Sequence, residues 1–233
     1  MKSFKILLIF ILTLFFSAPY GFANSSNAVI SKINGDVFIL KKGAFRKSFA
    51  IVSQVVKDGD MIITGDKSYA VLKLSDNSNV VIEENSRMKS NALESWEQKE
   101  GKAYFNIEKK EQKGFKVKTP FAVIGVKGTE FIIDSSEKNK TIALKKGLID
   151  VESLKKEFEL RRKKELSAFQ AFMEKTRSAF GKYKKADREE FVEFVRSFEL
   201  KPGKMVVFSD NIAEEKAFTD NLDEDFKKFR EMI

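Results

Sequence analysis

Two glycines and a lysine interrupt the most apolar stretch of the chain outside its N-terminus, "TPFAVIGVKGTEFIID" at residues 119–134. An anion-binding loop could use such residues, with backbone N–H groups and a cation around a phosphate or carboxylate. The residues concerned are Gly125, Lys127, Gly128 and Thr129. A nucleotide-binding phosphate loop leads into a helix, whereas "TEFIID" is typical of a strand. We therefore expect a bend or bulge between two buried strands.

Two acidic turns, "KDGD" at 57–60 and "SDNSN" at 75–79, carry oxygen ligands of the kind that calcium prefers. Neither has the Asp-x-Asp-x-Asp-Gly run and distal Glu of an EF-hand loop. Asp, Asn and Gly are also the usual residues of tight turns, so we predict turns and no metal site.

The composition removes most catalytic chemistry, because the chain contains no cysteine and no histidine. Thiol nucleophiles, Ser-His-Asp triads and His-ligated metals are thereby excluded. A pair of carboxylates for glycoside hydrolysis stays open as an alternative, since their separation depends on the fold. We predict a protein that is not an enzyme, with no catalytic residues and no cofactor.

Basic residues are concentrated in a segment whose apolar spacing predicts helices. One interpretation is a solvated helical face with Glu–Lys pairs. The other is a docking arm that binds an acidic partner surface, and it makes these residues candidates for partner binding. They are Arg161, Arg162, Lys163, Lys164, Lys175, Arg177, Lys182, Lys184 and Lys185.

The N-terminus has the three-part layout of a secretory signal peptide: a basic start, an apolar run over residues 6–16, and small residues ending at Ala23. We expect cleavage after about Ala23 and a periplasmic or otherwise exported protein; a retained N-terminal anchor is the alternative. The formal charge of +9 would otherwise suggest nucleic acid. Export instead favours an envelope protein or an anionic envelope polymer as partner.

Short strands separated by turn residues are predicted from residue 27 to about 152. Asn34-Gly35 between "AVISKI" and "DVFIL" predicts a hairpin, and "FAIVSQVV" at 49–56 predicts another strand. This pattern favours a mainly-β fold, either a sandwich or a β-helix-like stack.

Beyond residue 152 the spacing of apolar residues changes to three and four. We predict an inserted helical hairpin at 153–197, with a capping box formed by Asp187 and Glu190 before its second helix. Strand chemistry returns at 198–210, and an amphipathic helix is predicted at 211–233.

The order of these features resembles the FecR-type periplasmic domain. The resembling pieces include "INGDVFILKKG", "VVKDGDMIITGDKSYAVLKLSDNSNVVIEENSRM", "FKVKTPFAVIGVKGTEFIID" and "FELKPGKMVVFSD". Gly125, Gly128, Thr129 and Phe131 belong to the signature of the domain in this interpretation.

The resemblance implies a β-rich, non-enzymatic envelope domain of the kind that relays a signal from an outer-membrane receptor to a sigma factor. Because export is expected to begin at Met1, we expect no cytoplasmic sigma-regulating part.

The resulting domain prediction is a signal peptide at 1–23, a FecR-like β domain at 24–152 plus 198–210, the inserted hairpin, and the terminal helix. We expect an exported protein-interaction or signalling-associated module. The alternative is a structural envelope protein that binds anionic glycan or surface polymer through basic helices.

Overall fold

The computed structural model describes residues 28–92, 94–109, 114–163 and 190–233. Eighteen strands and one helix lie in these ranges, which confirms the prediction of a mainly-β fold. The first nine strands are β1 (Ala28–Asn34), β2 (Val37–Leu40), β3 (Ser48–Phe49), β4 (Val55–Val56), β5 (Met61–Thr64), β6 (Tyr69–Leu74), β7 (Asn79–Ile82), β8 (Arg87–Ala92) and β9 (Ser95–Glu100). The others are β10 (Lys102–Asn106), β11 (Phe115–Lys118), β12 (Ala122–Asp134), β13 (Thr141–Ser153), β14 (Phe158–Lys163), β15 (Glu190–Val195), β16 (Ser197–Leu200), β17 (Lys204–Ser209) and β18 (Ile212–Ala217), followed by helix α1 (Asp220–Met232).

The strands pair in two runs that share β12 and β13. The first run is β4–β1–β6–β7–β10–β12–β13–β17–β18–β14–β15, and the second is β3–β2–β5–β8–β9–β11–β12–β13–β16. Apolar side chains from both runs meet in one buried core, as in a β-sandwich. They include Leu72, Phe105 and Phe131 from the first run and Ile39, Ile62 and Trp96 from the second.

The helix α1 forms a third layer on the outer face of the first run. Phe226 and Phe229 are its two buried residues, and they pack on Tyr104, Ile132 and other side chains of that face. Helix formation is favoured by acidic residues in the first turn and by Arg230 in the last, which complement the helix dipole.

A bend in the β12–β13 hairpin connects the two runs. The C-terminal half of β12 pairs with β10, and its N-terminal half pairs with β11. Between these halves the register shifts at Lys127 to Glu130, and Gly128 has a φ of +64°. On β13, Gly147 lies opposite this bend with a φ of +91°, and a Cβ there would stand 2.3 Å from the Gly128 carbonyl oxygen. The bulge expected in "GVKGTEF" is therefore present, and Gly128 forms it together with Gly147.

The predicted hairpin at Asn34-Gly35 is wrong. Gly35 does make a turn, with a φ of +72°, but β1 pairs with β4 and β6 while β2 pairs with β3 and β5. The turn thus passes the chain from the first run to the second, because β1 and β2 bury their apolar residues from opposite layers.

The ends of the predicted helical hairpin are strands. Residues 158–163 and 190–195 pair antiparallel as β14 and β15, while residues 164–189, with Asp187 of the predicted capping box, lie outside the described residues. Phe158 and Leu160 are buried, and so are Phe198 and Leu200 on β16. Every second residue is therefore buried, which is typical of a strand. Pairing with neighbouring strands thus outweighs the helix-like spacing of the phenylalanines.

The strands also continue further toward the C-terminus than predicted. The segment at 212–217 is β18, which pairs with β17 and, in parallel, with β14. Helix α1 therefore starts at Asp220 and not near residue 211. Both β16 and β17 pair with β13, so 198–210 joins the same sheet as the preceding β segments.

Candidate functional site

The described part of the predicted basic arm is engaged within the fold. Arg161 donates from Nε to a carboxylate oxygen of Glu159 at 2.9 Å. Arg162 lies 3.2 Å from Glu215 in an ion pair, donates to the Glu199 carbonyl at 3.0 Å, and has its guanidinium 5.3 Å from the centre of the Phe198 ring. Arg162 therefore connects β14 to β16 and β18, whereas the Arg161–Glu159 pair lies within β14.

The remaining seven candidates of that arm begin at the end of β14. Lys163 is the last residue of β14. The other six lie outside the described residues: Lys164, Lys175, Arg177, Lys182, Lys184 and Lys185.

The four residues proposed as the signature of the domain have scaffold positions. Gly125 is a regular strand residue opposite Asp150. Gly128 makes the bend, and the backbone of Thr129 exchanges hydrogen bonds with Ile107 at 2.9 and 3.1 Å. Phe131 is fully buried and stacks on Phe105 with ring centres 4.7 Å apart.

The surface beside Gly128 does not suit an anion. Its concavity has a volume of about 10 Å³, and its lining includes three acidic residues, Asp76, Glu94 and Glu108, as well as Lys127. Such a volume holds about one water molecule, and three carboxylates repel a phosphate. The geometry therefore favours the bend over the anion-binding loop.

The acidic turns use their carboxylates to hold the backbone. Asp60 accepts hydrogen bonds from the Lys41 ammonium at 2.9 Å and from the backbone amides of Lys42 and Lys57 at 3.0 Å. Burial alone would raise the pKa of Asp60, but these hydrogen bonds outweigh it and hold the pKa below its ordinary value. In the second turn, Asp76 accepts from the Ser78 amide at 3.0 Å, a typical Asx turn.

A larger groove of about 430 Å³ lies beside the start of β1. Among the described residues that line it, Lys73 is the one that is titratable, and these residues do not supply the converging acid and base of a catalytic site. Among the described residues, no group of three or more potential ligands could hold a metal ion. Within the same ranges, no helix is both long and apolar enough to cross a membrane.

An open sheet edge is the first surface with the character of an interaction site. In the described part of the chain, β14 is the only strand that pairs with β15. Two of its side chains are solvent-exposed, Val192 at 45% and Phe194 at 68%. Unpaired strand edges with exposed apolar side chains are templates for another chain.

The second such surface, residues 45–55, is one that the sequence did not reveal. Five large apolar side chains are exposed there, led by Phe45 at 102% and Phe49 at 68%. The run "FAIVSQVV" contains only the end of β3, a turn and the short β4, so the predicted continuous strand is wrong. The cations that flank the run, Arg46, Lys47 and Lys57, were the available signal, because lysine and arginine are mostly exposed.

Together, the two packed runs of strands and the helix that covers one of them define a mainly-β protein. The family model described as FecR protein matches residues 60–150, from just before β5 almost to the end of β13. This match confirms the resemblance expected from the ordered motifs.

Two crystal structures of a proposed anti-sigma factor from Parabacteroides distasonis, at 1.65 and 2.50 Å resolution, are similar to this chain with TM-scores of 0.45 and 0.46. In each, the sequence identity is 14%, and the alignment covers 67% of this chain and 59% of that protein. The comparison with curated proteins gives no match.

Proposed function

We propose that this protein is an exported, non-catalytic interaction module of the cell envelope, in which the FecR domain is the scaffold and the open edge of β15 binds a partner protein. The observation that carries this function is the exposure of Phe194, at 68%, on a strand with one described neighbour. A partner strand added to β15 would gain main-chain hydrogen bonds and cover Val192 and Phe194.

Two features support a non-catalytic role. The chain has no histidine or cysteine, and the described residues that line the groove beside β1 include a single titratable one. A FecR domain at residues 60–150 is in line with a signalling-associated role. Turnover of an envelope glycan that one Asp or Glu substitution abolishes would overturn this part of the proposal.

Export is supported by the basic start, the apolar run and the small residues before Asn24. We expect the protein in the exported fraction of the cell, with a mature N-terminus at or near Asn24. Fractionation and intact-mass measurement test this, and a cytoplasmic protein that keeps Met1 would contradict it.

The partner surface is tested by photocrosslinking in intact cells. A photoreactive residue replaces Phe194 in one variant and Ile233, which is 48% exposed at the end of the chain, in the control. We expect one defined protein adduct from position 194 that persists at moderate salt, and none from position 233. Equal adducts from both positions, or adducts with glycan alone, would contradict a partner protein at β15.

A further inference from the structure

The hairpin tip between β2 and β3, residues 41–47, projects from the second run of strands. Phe45 lies near its middle with 102% of its surface exposed. At Gly43, where φ is +77°, a Cβ would meet no atom within 4 Å, so there is open space around this point of the tip. Behind it, Phe49 packs on Phe38 with ring centres 4.7 Å apart, which holds the base of the hairpin.

The charged residues within the tip are all cations. Between Asp36 and Asp58 the sequence contains no acidic residue and five cations: Lys41, Lys42, Arg46, Lys47 and Lys57. Lys41 and Lys42 pair with Asp60 and Asp58.

The two cations directly after Phe45 differ from these lysines. The Lys47 ammonium lies 3.6 Å from the centre of the Phe38 ring, and neither Arg46 nor Lys47 has an ion pair with a carboxylate in the described ranges. Both side chains are exposed next to Phe45 and carry a charge that no described carboxylate neutralises.

We propose that the β2–β3 tip docks on an anionic phospholipid surface. Phe45 enters the boundary between headgroups and acyl chains, while Arg46 and Lys47 contact lipid phosphates. Exposed aromatic and apolar side chains beside cations are the chemistry of interfacial membrane binding, and anionic headgroups attract such basic segments.

A lipid surface fits this tip better than a protein surface does. The sequence from residue 37 to residue 57 carries five cations and no carboxylate, and an anionic lipid surface attracts such a basic segment. This site is separate from β15 in sequence and in the pairing of strands, and its ligand is of another class. The two proposals can therefore fail independently.

Depth-dependent quenching gives a direct test. Phe45→Trp and Phe194→Trp each add one indole at an exposed position, while the single native tryptophan, Trp96, is fully buried and supplies a constant background. The protein as recovered from cells is mixed with phosphatidylcholine vesicles that carry brominated acyl chains, with or without phosphatidylglycerol. We expect quenching of the indole at position 45 only, and only when phosphatidylglycerol is present.

The contributions of the aromatic ring and of the two cations are measured by the partitioning of each variant between buffer and vesicles. Phe45→Ser should weaken vesicle binding about tenfold or more, and a double change of Arg46 and Lys47 to Ala about 30-fold. The matched control changes Lys116 and Lys118, two exposed lysines of β11, to Ala and should leave binding unchanged.

Several results would overturn lipid docking. They are equal quenching at positions 45 and 194, no quenching at position 45, or equal binding to vesicles without phosphatidylglycerol. Sedimentation that reveals a dimer lost in Phe45→Ser would make a second copy of the chain the occupant of the tip, and would also overturn it.

Discussion

Arg230 near the end of α1 donates from Nε and Nη2 to the two carboxylate oxygens of Glu130 on β12, at 2.7 and 2.9 Å. The Tyr104 hydroxyl donates to the same carboxylate at 3.0 Å. Burial raises the pKa of Tyr104, and the negative charge of Glu130 adds to the rise, so the phenol stays protonated as a donor. One buried carboxylate thus ties the helix to the sheet immediately after the bend.

Removing the guanidinium should loosen this connection. Arg230→Ala leaves Glu130, whose side chain is 10% exposed, without its counter-charge. Because the Arg230 side chain is itself half exposed, we expect a loss of about 1–2 kcal/mol in the free energy of unfolding. Urea denaturation measures this loss. Lys227→Ala on the exposed face of α1 is the control, and an equal loss there would refute a specific role for the Arg230–Glu130 pair.

The apolar face of α1 should matter more than its charges. Phe229 is fully buried and lies parallel to Tyr104 with ring centres 5.4 Å apart. Phe229→Ala is expected to cost about 3–5 kcal/mol and to make the C-terminus sensitive to protease. Ile233→Ala, at a position that is 48% exposed, should cost under about 0.5 kcal/mol. Proteolysis that is unchanged in Phe229→Ala would show that α1 is held by other contacts.

The sequence pattern predicted those strands that are apolar on both faces and have turn residues at both ends. Strands β6, β7 and β10 are bounded by turn residues and lie at the centre of the first run, where both faces are covered. The bend at Gly128 was also predictable, because glycine inside an apolar strand signals a bulge. Its partner Gly147 was not, since their contact depends on the pairing of β12 with β13.

The wrong predictions share a physical cause: the spacing of apolar residues does not show which other strand a segment will pair with. Phe191, Phe194, Val195 and Phe198 fit a helix by spacing, yet β14 offers a pairing edge, and Phe198 belongs to the next strand. The run at 49–56 has enough apolar residues for a buried strand, but few of them reach the core. The exposed tip at Phe45 therefore emerged only from the structure.

Asp60 predicts a specific pH dependence. Its folded pKa lies below the ordinary value of 3.8, so its stabilisation is fully present above that pH and is lost as the pH falls through the folded pKa. Asp60→Asn should cost about 1–3 kcal/mol at neutral pH, and its deficit relative to wild type should shrink below pH 3.8.

Denaturation at a series of pH values tests this expectation. Asp58→Asn is the matched control, because its surface pair with Lys42 should contribute at most about 1 kcal/mol. A deficit of Asp60→Asn that stays constant down to the lowest pH would show that the charge of Asp60 is not the source of its effect.

The bend itself can be tested by adding one methyl group. Gly147 and Gly203 both have positive φ, +91° and +76°, but a Cβ at Gly203 would meet nothing within 4 Å, whereas one at Gly147 would clash with the Gly128 carbonyl oxygen. Gly203→Ala should therefore cost only the backbone term, about 1–2 kcal/mol. Gly147→Ala adds the clash and should cost about 3 kcal/mol or more. The difference between the two free energies of unfolding isolates the close approach of β12 and β13. Equal losses in the free energy of unfolding would mean that the β12–β13 hairpin accommodates the added methyl group without strain. The connection between the two runs would then not depend on this pair of glycines.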